Sequence, residues 1–98
     1  MSPEETRRML GDNIRRFRTE SHLTQEELGI RLHVSNSYIS RLENGTKEPS
    51  FHLLEKLSVI LNHDISEFLV SQTDKMVLFF IAIKFTFIEY LQGIEYVL

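Results

Sequence analysis

The sequence contains no cysteine, no apolar leader segment at its start and no overall excess of positive charge. Without cysteine the chain can form neither disulfide bonds nor thiolate metal sites, and a reducing compartment is allowed. The first ten residues, MSPEETRRML, lack the apolar stretch of a secretory signal peptide. These absences predict a cytoplasmic protein.

Residues that could form an active site or a metal centre are also lacking. Glu26 and Glu27 are adjacent, so on a helix their carboxylates point in different directions, and no nucleophile or glycine-rich phosphate loop accompanies them. The chain has four histidines, His22, His33, His52 and His63. None lies three or four residues from another, which is the spacing of a helix-borne metal pair. We therefore expect no enzymatic activity, no cofactor and no metal.

The charge of the chain is unevenly distributed. The formal net charge is -3, which by itself disfavours a nucleic-acid partner because phosphate contacts need cations. Residues 1 to 48, however, hold eight basic and eight acidic residues, and all the basic ones except Lys47 are arginines. Arginine is suited to phosphate and guanine contacts. A basic face is therefore compatible with the total charge, although Arg15 and Arg16 fit a solvated helix face equally well.

The middle of the first half predicts two short helices joined by a tight turn. Thr24, with Glu27 three residues later, is typical of a capping box at a helix start. His33–Val34 form a turn, Ser35 caps the next helix, and Asn44–Gly45 end it. Each of these helices is about eight residues long by this interpretation.

Three more helices complete the prediction for residues 3 to 70. The first runs from Pro3, preceded by a serine cap, to about Glu20. Ser50 caps a fourth, strongly apolar helix that closes near Asn62, and Asp64 caps a short fifth one. The sequence thus predicts a five-helix unit.

The segment from Met76 to Leu91 differs from the rest, because it is rich in β-branched and aromatic residues. Strand-like alternation is carried by Phe79, Ile81, Ile83, Phe85 and Phe87. In that interpretation Gln92–Gly93 form a hairpin turn. A helix is also compatible, with a small or polar stripe made by Lys75, Ala82, Thr86, Glu89 and Gly93. Helix and hairpin both remain open from the sequence.

This apolar tail is predicted to be a core-covering element or a subunit interface. About sixteen residues are too few for a membrane span, which needs roughly twenty, and Lys84 and Glu89 interrupt them. An isolated exposed segment of this kind would show more apolar surface than a monomer tolerates. We therefore divide the chain into a domain over residues 1–70 and an extension over residues 71–98, with no membrane span.

The two short helices carry the functional pattern. Gly29 is small where the helices must approach closely, Val34 can fill the turn, and Ile39 packs the second helix onto the first. The side chains left exposed are Asn36, Ser37, Ser40 and Arg41. Short polar groups with one arginine on an exposed helix are what base reading in a DNA major groove requires.

The stretch TQEELGIRLHVSNSYISRLENG, from Thr24 to Gly45, resembles the Cro and lambda-repressor-like helix-turn-helix family, also called the Xre family. The resemblance covers about residues 8 to 70 and implies an all-α, five-helix DNA-binding domain. One departure lies at His33, where the family often has glycine because the turn needs a positive φ. The packing positions around the turn are retained.

The resemblance also implies roles for individual residues. Gln25 would hold a DNA phosphate, and Lys47 would contact another. Arg18 would pair with Glu43, a structural contact that ties the first helix to the end of the third. Together with the exposed face, the candidate DNA-binding set is Gln25, Ser35, Asn36, Ser37, Ser40, Arg41 and Lys47.

The predicted function is sequence-specific binding of double-stranded operator DNA by a homodimer that regulates transcription, most simply as a repressor. The third helix, at about residues 35–43, would read a near-palindromic site. An alternative of another class is a protein-interaction adaptor, such as an antitoxin-like or membrane-associated module, in which the apolar tail is the working surface and DNA binding is secondary.

Overall fold

The computed structural model describes the backbone of residues 1–97 and the side chains of residues 1–93. Six helices follow one another in this part of the chain, and no strand occurs in it. They are α1 (Pro3–Glu20), α2 (Gln25–Leu32), α3 (Asn36–Glu43), α4 (Phe51–Leu61), α5 (Ile65–Phe68) and α6 (Gln72–Val97). The predicted all-α, five-helix unit is confirmed, and the tail adds the sixth helix.

Four of the helices begin where the sequence places a hydroxyl cap. The capping side chains, each accepting a backbone N–H three residues on, are Ser2, Thr24, Ser35 and Ser50. The Glu27 side chain accepts a hydrogen bond from the Thr24 backbone N–H, so the predicted capping box is present. The prediction for Asp64 is wrong in part. It precedes α5, but its side chain makes no capping hydrogen bond, because the single turn of α5 is closed through the Asp64 backbone oxygen instead.

The turn between α2 and α3 has the predicted left-handed residue. His33 adopts φ 59° and ψ 40°. The backbone N–H groups of this turn donate hydrogen bonds to carbonyl oxygens of α2. A Cβ at Gly29 would lie 2.8 Å from the Val34 carbonyl oxygen, closer than packed atoms allow. The small residue therefore sets the distance between α2 and the start of α3.

The core is formed by one buried apolar set contributed by α1 to α5 and the turn after α1. Its members are Leu10, Ile14, Phe17, Leu23, Leu28, Leu32, Ile39, Leu42, Leu53, Leu54, Leu57, Leu61 and Phe68. His63 stacks on Phe17 with ring centroids 3.7 Å apart and 12° between the ring planes. The sequence indicated no packing role for His63, so this contact was missed. The core supports α3 from beneath and fixes its orientation.

A second close approach joins α1 to the end of α3. A Cβ at Gly11 would lie 2.4 Å from the carbonyl oxygen of Leu42, so this position admits no side chain without a backbone shift. Nothing near Gly11 in the sequence indicated this role. Its role depends on a contact between residues about thirty positions apart, which periodicity within one helix does not reveal.

Asn13 holds the chain where it leaves the domain. Its buried side-chain amide donates to the carbonyl oxygens of Phe68 at 2.7 Å and Val70 at 3.0 Å. Arg16 donates in turn to the Asn13 side-chain oxygen at 2.8 Å. The segment between α5 and α6 is thereby attached to α1.

The tail is a helix, so the hairpin alternative is wrong. Gln92 and Gly93 lie inside α6, and the described chain offers no second strand with which a strand could pair. The core-covering alternative is also wrong for the described side chains, because the large apolar residues from Met76 to Leu91 are exposed. The length argument against a membrane span was wrong as well. The helix extends past the apolar run, and Gln72–Gly93 is long and apolar enough to cross a membrane by length and composition.

The left-handed turn yields a stability prediction at His33. Glycine adopts this conformation without steric cost, whereas a residue with a Cβ does not. We expect the free energy of unfolding of His33→Gly to exceed that of His33→Ala by about 1 kcal/mol. Denaturant titration of both variants measures the difference, and an alanine variant as stable as the glycine variant would contradict it.

Candidate nucleic-acid interface

The outer face of α3 carries short polar side chains and one arginine. Ile39, Leu42 and Glu43 are buried on its inner face. Asn36, Ser37 and Arg41 are exposed, and Ser40 is half-buried. The apolar spacing of α3 thus fixes which residues face solvent.

The structure brings five of the predicted site residues together. One shallow concavity at the surface is lined by Gln25, Asn36, Ser37, Ser40 and Arg41. Gln25 comes from the first turn of α2, and the others come from α3. Among the described residues, the Arg41 guanidinium forms no ion pair. A cation that is not neutralised by a carboxylate remains available for an anionic or acceptor-rich partner.

Beneath this concavity lies a buried carboxylate, Glu43, whose side chain has no exposed surface. Arg18 donates to both of its oxygens, from Nε to Oε2 at 2.6 Å and from Nη2 to Oε1 at 2.9 Å. The Gln25 amide donates to Oε1 at 3.1 Å, and Arg15 Nε donates to the same oxygen at 3.3 Å. The pair of Arg18 with Glu43 is confirmed, and two further donors join it.

Glu43 stays ionised because of these donors. Burial by itself would raise the pKa of Glu43, but hydrogen bonds from Arg18, Gln25 and Arg15 and the positive charge of Arg18 outweigh it, and the net pKa is lowered. The same hydrogen bonding raises the pKa of Arg18. The ionised Glu43 carboxylate, with its donors Arg18, Gln25 and Arg15, therefore connects α1, α2 and the last turn of α3.

Two predicted residues lie outside the concavity. The Ser35 hydroxyl is exposed and caps α3 by accepting the Tyr38 N–H at 3.0 Å. Lys47 is exposed beyond the end of α3, with its Nζ 6.0 Å from the Tyr38 ring centre. It lines a separate polar concavity together with Arg7 and Arg8 from α1.

Two arginines of α1, Arg7 and Arg15, have contacts that sequence reasoning missed. The sequence leaves Arg15 open between a nucleic-acid contact and a solvated face, and the structure shows instead that it donates to Glu43 and, through Nη2, to the Asn44 side-chain oxygen at 3.0 Å. Arg7 donates to the Gly45 carbonyl oxygen at 3.3 Å. The resemblance that supplied the Arg18 pair gave no corresponding signal for Arg7 or Arg15. Their partners lie 28 to 38 positions away in the sequence.

Comparison with known proteins agrees with this arrangement. The family model described as helix-turn-helix matches residues 14–68, more than half of the chain, and includes α2 and α3. The chain belongs to the Cro and lambda-repressor-like helix-turn-helix family. Members of this helix-turn-helix family are DNA-binding transcription regulators. The match ends before α6, so the family model does not account for the tail.

Two curated relatives are similar in sequence. The HTH-type transcriptional regulator y4dJ of Sinorhizobium fredii is 39% identical over 69 residues, which cover 70% of this chain and 88% of the relative. The ImmF control region 10 kDa protein of Bacillus phage phi105 is 37% identical over 57 residues, covering 58% of this chain and 63% of the phage protein. Helix-turn-helix proteins of both bacterial and phage origin are therefore similar to this chain.

Two crystal structures share the fold. The clp gene regulator ClgR from Corynebacterium glutamicum aligns with a TM-score of 0.66 and 30% identity over 85% of this chain and 88% of that chain. The restriction-modification controller protein C.AhdI from Aeromonas hydrophila aligns with a TM-score of 0.64 and 25% identity over 69% of this chain and 99% of that chain. Nearly the whole controller protein thus corresponds to part of this chain.

The buried cluster predicts a loss of stability that depends on pH. Replacing Glu43 by glutamine leaves the Arg18 guanidinium without its counter-charge and should lower the free energy of unfolding by about 2 kcal/mol near neutral pH. Because the folded-state pKa of Glu43 is lowered, its contribution is complete above the unfolded-state pKa of about 4.3 and is lost as the pH falls through the folded-state value.

Urea unfolding of the wild type and Glu43→Gln across the acidic range measures this effect. The stability advantage of the wild type should be constant near neutrality and shrink on acidification. The matched control is Glu48→Gln, at an exposed position, which should change stability by no more than about 0.5 kcal/mol. An advantage that grows at low pH would show that the sign is wrong.

Proposed function

We propose that this helix-turn-helix protein binds double-stranded DNA in a sequence-specific manner, with α3 in the major groove. The observation that carries the proposal is the concavity formed by Gln25 and the exposed face of α3, which presents amide, hydroxyl and guanidinium groups together. A major groove about 12 Å wide admits one helix and displays donors and acceptors that such groups can discriminate.

Individual residues receive different roles in this complex. Arg41 is suited to a guanine edge, Asn36 to an adenine edge or a phosphate, and Ser37 and Ser40 to shorter contacts with base edges. These residues would determine sequence preference, whereas contacts to the DNA backbone would set the register of the protein.

Three further residues would contact phosphate. One N–H of the Gln25 side chain is directed to Glu43, and an amide nitrogen carries two donors, so the second can reach a phosphate oxygen. Ser35 can donate its hydroxyl proton while its oxygen caps α3. Lys47 lies beyond the end of α3 and supplies a positive charge without base contacts.

The proposal includes a homodimer and a near-palindromic operator. One copy presents one recognition helix, and two copies related by a two-fold axis would place two such helices about 34 Å apart, one turn of DNA. Exposed apolar side chains on and next to α4 and α5 give a surface for this contact, with Val59 80% and Leu69 51% exposed. Bound over a promoter, the dimer would repress transcription by exclusion in the cytoplasm.

Selection of bound sequences from a random DNA pool tests the function. The selection is run at about 150 mM salt, because phosphate attraction at lower salt retains DNA of any sequence. A two-fold-symmetric consensus supports the proposed dimeric reader and defines its half-site spacing. Absence of enrichment contradicts autonomous sequence-specific binding.

Two alanine variants separate base reading from phosphate contact. Arg41→Ala should cost about 1–3 kcal/mol on the selected site and little on unrelated DNA, which relaxes preference at one base position. Lys47→Ala should weaken binding to all sequences by a similar factor and reduce the salt dependence. Fluorescence anisotropy against both DNAs over a salt series measures the two effects. Equal loss on all DNA for Arg41→Ala would assign it to phosphate.

The dimer surface is tested by a charge at Val59. Val59→Asp places a carboxylate in the proposed apolar contact and should weaken binding to the two-half-site operator by about tenfold or more. Binding to a single half-site should change little. Glu55→Ala, on the same helix and exposed, is the control. If Val59→Asp binds the full operator like the wild type, the contact lies elsewhere.

A further inference from the structure

Large apolar side chains surround α6 between Met76 and Leu91, except along the narrow small or polar stripe that contains Ala82, Thr86 and Glu89. All twelve large apolar side chains between Met76 and Leu91 are exposed, with fractions between 45% and 65%. Successive helical residues are about 100° apart, so Phe79, Phe80 and Phe85 point to three different sides of the helix. Exposed apolar area of this extent is not found on a monomer in water. Something outside the five-helix domain must therefore surround α6.

A second copy of α6 would leave most of this surface uncovered. A soluble helix pair buries one apolar stripe of each helix and keeps charged residues on the remaining faces. Between Met76 and Leu91 the polar side chains are few, namely Lys84, Thr86 and Glu89. Phenylalanines would remain on the outside of such a pair. Lipid, in contrast, contacts a helix on all sides.

The length of α6 fits a bilayer. Gln72–Gly93 contains 22 residues, and at 1.5 Å per residue it extends about 33 Å. No part of its most apolar stretch is buried. The hydrocarbon core of a bilayer is about 30 Å thick. Core helices and leader sequences can have the same composition, but α6 is unburied and follows a folded domain. We propose that α6 inserts into a lipid bilayer as a single span and tethers the DNA-binding domain to the membrane.

The charges flanking α6 define its orientation. Lys75 lies at the domain end, where Arg8 and Arg16 line the neighbouring concavity together with the first residues of α6. Residues 85–98 contain no lysine or arginine and include Glu89 and Glu95. Cations concentrate on the cytoplasmic side of a span. The domain therefore faces the cytoplasm, where DNA is accessible.

Lys84 and Glu89 are charged residues within the span, and Lys84 is the more unfavourable because it lies nearer the middle of Gln72–Gly93. Its flexible apolar stem allows the ammonium group to extend towards the interface. This residue supplies a sharp test, since removing its charge should favour insertion and two further charges near it should prevent insertion.

The experiment uses the full chain produced in bacterial cells. Membranes are washed with alkaline carbonate, which releases peripheral proteins, and then floated through a density gradient, which leaves aggregates at the bottom. The wild type should float and be released only by detergent. The double variant Ile81→Arg and Phe85→Arg should lower the floated fraction several-fold, whereas Lys84→Leu should keep or raise it.

Three outcomes would overturn the tether. They are release of the wild type by carbonate, recovery of a defined soluble oligomer, and equal flotation of the double variant. The proposed DNA binding is tested separately, because the selection from random DNA can fail or succeed whether or not the protein floats. Binding of the purified chain to vesicles of phosphatidylethanolamine and phosphatidylglycerol, with the same variants, excludes retention by another membrane protein.

Discussion

The arrangement of the DNA-binding domain depends on one buried charge, the Glu43 carboxylate. It lies in the last turn of α3, and its donors come from α1 and from the first turn of α2. A buried charge is tolerated only when it is paired and hydrogen-bonded, so α3 has one position in which this requirement is met. The cluster also orients Gln25, whose amide is shared between the protein interior and the outer concavity. The position of α3 and the chemistry of its surface are thus determined together.

The two parts of the chain place opposite demands on their surroundings. The five-helix domain buries its apolar residues and presents amides, hydroxyls and arginines to solvent. Between Met76 and Leu91 of α6, the large apolar residues face outward. The surface of the five-helix domain is suited to DNA, which is hydrated and anionic, and the surface of α6 is suited to an environment without water. A regulator of this composition would act on DNA that lies near a bilayer.

Local signals predicted most of the fold, and contacts between distant segments were missed. The caps at Thr24 and Ser35 and the turn at His33 were foreseen, because each depends on a few neighbouring residues. Gly11, Arg15 and His63 act through partners far along the chain, so nothing near them in the sequence indicated their roles. The tail was ambiguous for another reason. Aromatic and β-branched residues favour strands only where a partner strand exists, and none occurs in the described residues.

The Asn13 amide determines how mechanical load would pass through the molecule. It fastens the carbonyls of Phe68 and Val70 to α1, immediately before α6 begins. A pull along α6 would therefore be received by α1 and α5, while the turn between α2 and α3 lies off that path. Tension along α6 would then leave the position of α3 unchanged.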